Sequence, residues 1–386
     1  MMMKEAMIII GGGVTGLATA IELADAGVAV TLIEARHLGA MASLWTLGGV
    51  RQSGRHPAEL PLAIAALKRW AHWHEELGGE TGYRQRGNLR LARDEGEIES
   101  LKRMVADQMG RGLDLHFLPD HAAIRAVSPV IGETILAASF CPGDGHADPP
   151  RTVATLAQAV RRKGVTIHEA CAAHALVMNQ GRITGVETSK GRLQADRVIL
   201  CNGVHVPELL APLGITLPLS VQRVCVAQTV PHAACFDQVF GVANADCAGR
   251  QEWDGRFRFT TGIDDWQGDV AHWTPARLSP PVSTIGALIA RATRVLPVLG
   301  SIGLEKIWGG LIDQTPDALP VLDAPKDWPG LVIGAGFSGH GFGIAPISGA
   351  ILRALALGDD IQFDLTPFRL QRFAMAPAFA PLALHG

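Results

Sequence analysis

The stretch IIIGGGVTGLATAIELADAGVAVTLIEA, residues 8–35, decides how the rest of the chain is read. Met7 to Ile10 is a short apolar run of β type that ends in Gly11-Gly12-Gly13. Val14 to Ala26 has helical periodicity, with Leu17, Ala20, Ile21 and Ala24 on one face. Gly27 stands where a left-handed cap is wanted. Val28 to Ile33 is nearly all apolar, as a strand buried on both faces requires. The product is a βαβ unit. Between its first strand and its helix lies Gly11-x-Gly13-x-x-Gly16, and Glu34 closes the second strand. Gly11 permits the tight turn, Gly13 lets backbone approach a pyrophosphate, and Gly16 lets the helix sit close on the sheet. The helix start, with Val14 and Thr15, then faces the phosphates with exposed N–H groups. Glu34 can accept from ribose hydroxyls, and its charge disfavours a 2′-phosphate, so NADP is disfavoured. The motif leaves NAD and FAD undivided.

A second glycine loop, Gly334 to Gly343, separates them. It follows a buried strand at Leu331 to Ile333 and feeds a helix, Ala345 to Leu357, closed by Gly358. An NAD site has no use for such a loop some three hundred residues after the first. FAD does, because negative charge develops at one edge of its ring on reduction, and a helix N-terminus offers the positive end of a dipole there.

At 386 residues the chain exceeds what one core usually supports, so two domains are expected. The residues are 48% hydrophobic and 18% charged, with a net charge of −3, which excludes a disordered chain and disfavours nucleic acid as a partner. The six cysteines, Cys141, Cys171, Cys201, Cys225, Cys235 and Cys247, form no C-x-x-C pair. No zinc or iron–sulfur site is expected, and the thiols read as reduced in a cytoplasmic protein. The N-terminus is too short for a signal peptide, and no apolar stretch reaches the ~18 residues of a spanning helix. Helices are expected near residues 62–77, up to Gly110, at 151–163 and at 284–296. Tyr83 to Leu91 should be a strand, and Leu217 to Trp266 should be β-rich. Val165 to Ile167, Ala175 to Met178, Ile183 to Thr188 and Val198 to Cys201 read as strands of the first sheet. The Ala- and Pro-rich tail after Ala374 reads as an extended arm.

With both glycine loops in hand, the sequence resembles the D-amino acid oxidase family of FAD-dependent oxidoreductases, also called the glycine/sarcosine oxidase family. The matching stretches are residues 8–35, GGVRQ (48–52), DGHADP (144–149), VILCNG (198–203), WGGLIDQTPDALPVL (308–322) and VIGAGFSGHGFGIAPISG (332–349). The nearest branch is the β-subunit type of sarcosine oxidase with opine, proline and hydroxyproline oxidoreductases. The resemblance implies an α/β fold: a Rossmann-like (GR2-type) FAD-binding domain with an inserted antiparallel-sheet substrate domain. The first would comprise residues 1–80, 142–216 and 307–386, and the second 81–141 and 217–306.

By the same resemblance Gly11, Gly13 and Gly16 hold the pyrophosphate, Glu34 the ribose, and Ala35 and Arg36 flank the adenosine. Ser43 lies near a phosphate. Gly48, Gly49, Val50 and Arg51 line the flavin, and Ala173, Cys201, Gly203 and Gly309 pack near the cofactor. Gly336, Phe337, Ser338, Gly339, His340 and Gly341 face the pyrimidine edge of the ring. Three departures stand out. Many amino-acid oxidases carry an Arg where this chain has Ile312 followed by Asp313. Monomeric sarcosine oxidases carry a Lys where it has Gly343. The His that links a second flavin is replaced by Ala147-Asp148-Pro149-Pro150, so the FAD is expected to be non-covalent.

The chemistry implied is hydride transfer from carbon to the flavin, leaving an imine that water hydrolyses, in a small amino acid or secondary amine. No metal is needed. Arg51 is the first candidate for a substrate or flavin contact, against a surface ion pair; Arg223 is a second carboxylate candidate. His340 either touches the ring or substrate or is structural, and Trp308 either walls the pocket or belongs to the core. His146 and Asp148 read as loop support and a helix cap. Arg256 and Arg258 occupy the region where oxidases place a lysine facing the flavin, which tilts the acceptor from oxygen toward a quinone or partner subunit. An alternative is a flavin-carrying electron-relay subunit in a hetero-oligomer with an α or iron–sulfur subunit.

Overall fold

The computed structural model describes residues 5–374; the tail expected to be an arm lies outside them. The βαβ unit forms as its periodicities dictate: strand Ala6–Ile10, helix Val14–Asp25, strand Ala29–Ile33. The two strands pair in parallel, with Ile8 opposite Thr31. They sit inside a six-stranded sheet in the order 321–323, 331–335, 197–200, 6–10, 29–33, 166–168. All its pairs are parallel except that of Val321–Asp323 with Leu331–Ala335. The apolar runs are buried, and the helices Val14–Asp25, Leu60–Leu77, Pro149–Arg162 and Gly341–Leu357 pack over this sheet. Asp148 caps the third of these, its carboxylate accepting from Arg151 N at 2.8 Å.

Two of the four strands expected in the first sheet lie elsewhere. Ala173–Asn179 and Arg182–Thr188 join Gly191–Gln194 in a separate antiparallel sheet. The former carries His174 and Asn179 near its ends and has no fully buried position, so it could not serve as an interior parallel strand.

The second large sheet has eight strands, in the order 304–314, 220–229, 257–265, 247–251, 239–242, 88–92, 137–141, 116–118. It is antiparallel throughout except for one parallel pair, Val239–Val242 with Asn88–Ala92. The region Tyr83 to Leu91 contributes only from Asn88 onward. The expected domain boundary at 306/307 falls inside the strand Leu304–Gln314, whose length pairs with Ser220–Thr229 from Gln314 opposite Ser220 to Leu304 opposite Thr229. Phe257 and Phe259, two residues apart and so on one face of their strand, are buried against helix Val282–Val295. Among the described residues all six cysteines are free, no helix is long and apolar enough to cross a membrane, and no cluster of ligating side chains could hold a metal.

Candidate active site

Both glycine loops open onto one cavity of about 270 Å³ between the two large sheets. Gly13, Val14 and Thr15 form one part of its wall, and Gly339, His340, Gly341 and Phe342 another. Each is the N-terminal turn of a helix, so unpaired N–H groups and two positive dipole ends converge on the same space. Ser43 Oγ accepts from Val14 N at 3.0 Å, tying a neighbouring turn to the first helix start. Gly11 lies beneath, at φ +109°, and a Cβ there would collide with Cys201 O. Only glycine permits that turn.

Glu34 braces this region: its two carboxylate oxygens accept from Gly12 N and Arg36 N, each at 2.8 Å. Each oxygen retains a further lone pair for a ribose hydroxyl. Arg36 donates to Trp273 O at 2.8 Å and lies 3.8 Å over that ring, so it crosses to the segment that joins strands 257–265 and 304–314 of the second sheet. Trp273 in turn meets Trp45, a wall residue, edge-on at 5.4 Å.

Of the residues singled out in the sequence, Ser43, Gly49, Arg51, Cys201, Gly203 and Phe337 also line the cavity. Several others do not. Gly16 packs on the first turn and Gly48 on Ala147; Val50 is core, and Ala35 is exposed on the rim of the βαβ unit. Ala173 lies on the separate three-stranded sheet. Gly309 faces Leu278, and its neighbour Gly310 takes the wall position. Arg223 points off the wall to Asp264, 2.5 Å away, while Val224 and Val226 of the same strand face the cavity. Trp308 lies beneath the Arg258 guanidinium, 5.2 Å from its ring centre, and is not part of the wall. Arg258 also donates to Thr46 O at 2.8 Å, and Arg256 is held at the surface by Asp254 and Glu305.

Asp313 explains one departure. Its buried carboxylate accepts from Gly336 N at 2.6 Å and its carbonyl from Ser338 N at 3.0 Å, which fixes the second glycine loop. Burial outweighs those backbone N–H groups and pushes its carboxyl up to about 6. Ser338 is buried at φ +50°, with its hydroxyl 3.1 Å from Thr315 Oγ1. Ile312, where many amino-acid oxidases carry an arginine, is plain apolar wall.

The cavity also meets a buried charged network that the sequence only hinted at. His340 Nδ1 is 3.1 Å from Glu59 Oε2, and both side chains are buried. Arg51 and Arg55 line the cavity, and Arg90 lies near them without reaching the wall. Burial first, then Arg55, lowers the His340 imidazole to about 4. Burial alone would raise the Glu59 carboxyl, but His340, Arg55 and Arg51 outweigh it and hold it at about 2. His340 is therefore neutral at ordinary pH, donates Nδ1–H to Glu59, and turns an acceptor Nε2 away from that carboxylate. Arg55, Glu59 and Asn88 were missed; the available signal was the Arg51-x-x-x-Arg55-x-x-x-Glu59 spacing across the entry to a helix.

A paired glycine cradle with two helix starts and a ribose-competent carboxylate fits an FAD-type dinucleotide. Residues 7–355 match the family described as FAD dependent oxidoreductase (DAO), and the chain belongs to it. It is 31% identical over 382 residues to the bifunctional protein ThiO/ThiG of Synechocystis sp., covering 95% of this chain and 54% of the relative; the chain thus spans about half that protein's length. It is 27% identical to the sarcosine oxidase subunit beta of Arthrobacter sp., covering 95% of this chain and 90% of the other. The crystal structure of glycine oxidase from Geobacillus kaustophilus superposes with a TM-score of 0.88 at 23% identity, covering 96% of this chain and 99% of that one.

Proposed function

We propose that this protein oxidises a carbon–nitrogen bond in a small amino acid or secondary amine, using non-covalent FAD. The observation that carries the reading is a single cavity into which both glycine turns open, lined by apolar side chains together with His340, Arg51 and Arg55. FAD supplies, when bound, a two-electron acceptor for a hydride from the substrate carbon. Gly13 to Thr15 would hold its diphosphate, and Gly339 to Phe342 would lie at the ring. Val224, Val226, Leu311 and Ile312 exclude water and confine a small substrate. The neutral Nε2 of His340, buried and without a hydrogen-bond partner, would accept from an N–H of the amine and orient it. The free cysteines, four buried and two half-buried, fit a reducing, cytoplasmic setting.

Anaerobic addition of L- and D-amino acids, sarcosine and proline derivatives to the purified yellow protein tests this directly. Bleaching of the flavin by at least one amine is expected. Bleaching by none would favour the second reading, a relay subunit, which draws support from the similarity to a protein named as a subunit.

A further inference from the structure

We propose that Trp273 is a latch: it closes the side of the cavity beside the first glycine turn and controls how fast FAD enters and leaves. The inference concerns cofactor exchange and holds whichever amine is oxidised.

Strands Phe257–Asp265 and Leu304–Gln314 belong to the antiparallel sheet, and the chain between them first makes an excursion, residues 266–279, toward the parallel domain. Within 267–279 only Trp273 and Leu278 are buried. The backbone bonds of the excursion are local turns: His272 N to Asp269 O at 3.3 Å, Leu278 N to Thr274 O at 3.1 Å, and Ser279 N to Ala276 O at 3.3 Å. Among the described residues, one hydrogen bond ties it to the parallel domain, from Arg36 Nη2 to Trp273 O at 2.8 Å. A segment held by so few buried side chains opens locally at a fraction of the cost of global unfolding.

What those anchors touch gives the segment its task. The Trp273 ring, 4% exposed, has the exposed Arg36 guanidinium 3.8 Å over it and the Trp45 ring edge-on at 5.4 Å. Arg36 follows Glu34, whose carboxylate holds the first glycine turn through Gly12 N. Trp45 ends the short helix Ala42–Trp45, and Ala42, Ser43 and Trp45 are all wall residues. Trp273 and Leu278 pack with Val204 and Leu311 in an apolar cluster separate from the main cores, and Trp45 leans on it. Leu311 lines the cavity, as does Gly203 beside Val204. The fit is close: a Cβ on Gly309 would stand 2.1 Å from Leu278 O, and one on Gly310 3.1 Å from Trp45 Cε3. One indole therefore props three stretches of wall, and lifting it frees Trp45 and the turn that carries Ser43. Cation–π pairing with an exposed arginine is weak, so Arg36 holds the ring without sealing it, and burial of the indole supplies the larger part of the closure. If passage past Trp45 requires the excursion to open, entry and exit both scale with the fraction of time it is open, and their ratio is unchanged.

The test follows FAD exchange in the full chain. Release from the holoprotein after dilution, and uptake by the apoprotein, are timed by the flavin fluorescence of ultrafiltrates. Trp273→Ala should accelerate release and uptake alike by about 100-fold, leaving Kd within about threefold of wild type. Trp273→Phe, which keeps a ring beneath Arg36, should accelerate both about fivefold. Arg36→Met should speed release about tenfold. If Trp273→Ala does not fold, Trp273→Phe and Arg36→Met still decide. Release at the wild-type rate in these two variants would overturn the proposal. So would faster release from a Trp273 variant with uptake unchanged, because that pattern marks a direct contact with the cofactor.

Discussion

His340 and Glu59 show how burial turns an ordinary pair into a pH-sensitive one. The imidazole titrates near 6.5 in an unfolded chain but at about 4 in this protein. A lowered folded pKa means that the unfolded state binds the proton more tightly, so stability is fully present above pH 6.5 and drains away as pH falls toward 4. At about 1.4 kcal/mol per pH unit, this one residue accounts for about 3 kcal/mol across that window. Glu59, held at about 2, adds its own loss below pH 4.5. Denaturant melts at several pH values should show a steep decline between 6.5 and 4, and His340→Gln should flatten it. A wild-type curve already flat over that range would contradict the assigned protonation. Individual residues were also the scale at which sequence reading was weakest. Glu34 and Gly13 sit in a motif whose spacing fixes their place, whereas Arg223 and Val224 differ only in which face of a strand they occupy. A one-residue uncertainty in register exchanges wall for exterior.

Helix Val14–Asp25 and helix Gly341–Leu357 are distant in sequence and pack closely side by side. Their approach is set at Gly349, where a Cβ would stand 2.8 Å from Ala18 Cβ. Since each helix presents its N-terminus to the cavity, their spacing also sets the distance between the two anion-binding ends. Gly349→Val should force them apart, cost about 2–3 kcal/mol of stability by overpacking, and weaken FAD retention, readable as loss of yellow colour on gel filtration. Unchanged retention and melting would mean that the helices have slack. These elements were legible because a parallel strand followed by an amphipathic helix imposes two different periodicities in succession. The strand Ala173–Asn179 was recognised as a strand but assigned to the wrong sheet. Local pattern reports burial on one or both faces, while the identity of the partner depends on residues far away. His174 and Asn179 were the clue that this strand was not interior. The strand Leu304–Gln314, split by the expected boundary, is exposed over its first four residues and mostly buried toward its end, so its two halves resemble different domains.

For the molecule as a whole, the cavity wall draws on the parallel sheet, the antiparallel sheet and the loops between them. A cofactor seated there binds only the assembled chain and stabilises all of it by mass action, about 2.7 kcal/mol at a hundredfold excess over its dissociation constant. Stripping FAD should lower the thermal midpoint by several degrees, and adding it back should restore the loss. A midpoint insensitive to FAD would place the binding energy elsewhere. The free cysteines carry a different consequence. Burial raises the thiols of Cys201 and Cys247 to about 12 and pushes Cys141 and Cys225 upward as well. Alkylating reagents attack thiolates, so these sulfurs are silent in the native state and become reactive only when the polypeptide opens. The chain therefore carries an intrinsic stopwatch: the rate at which iodoacetamide tags them, followed by mass spectrometry, reports how often the folded enzyme comes apart.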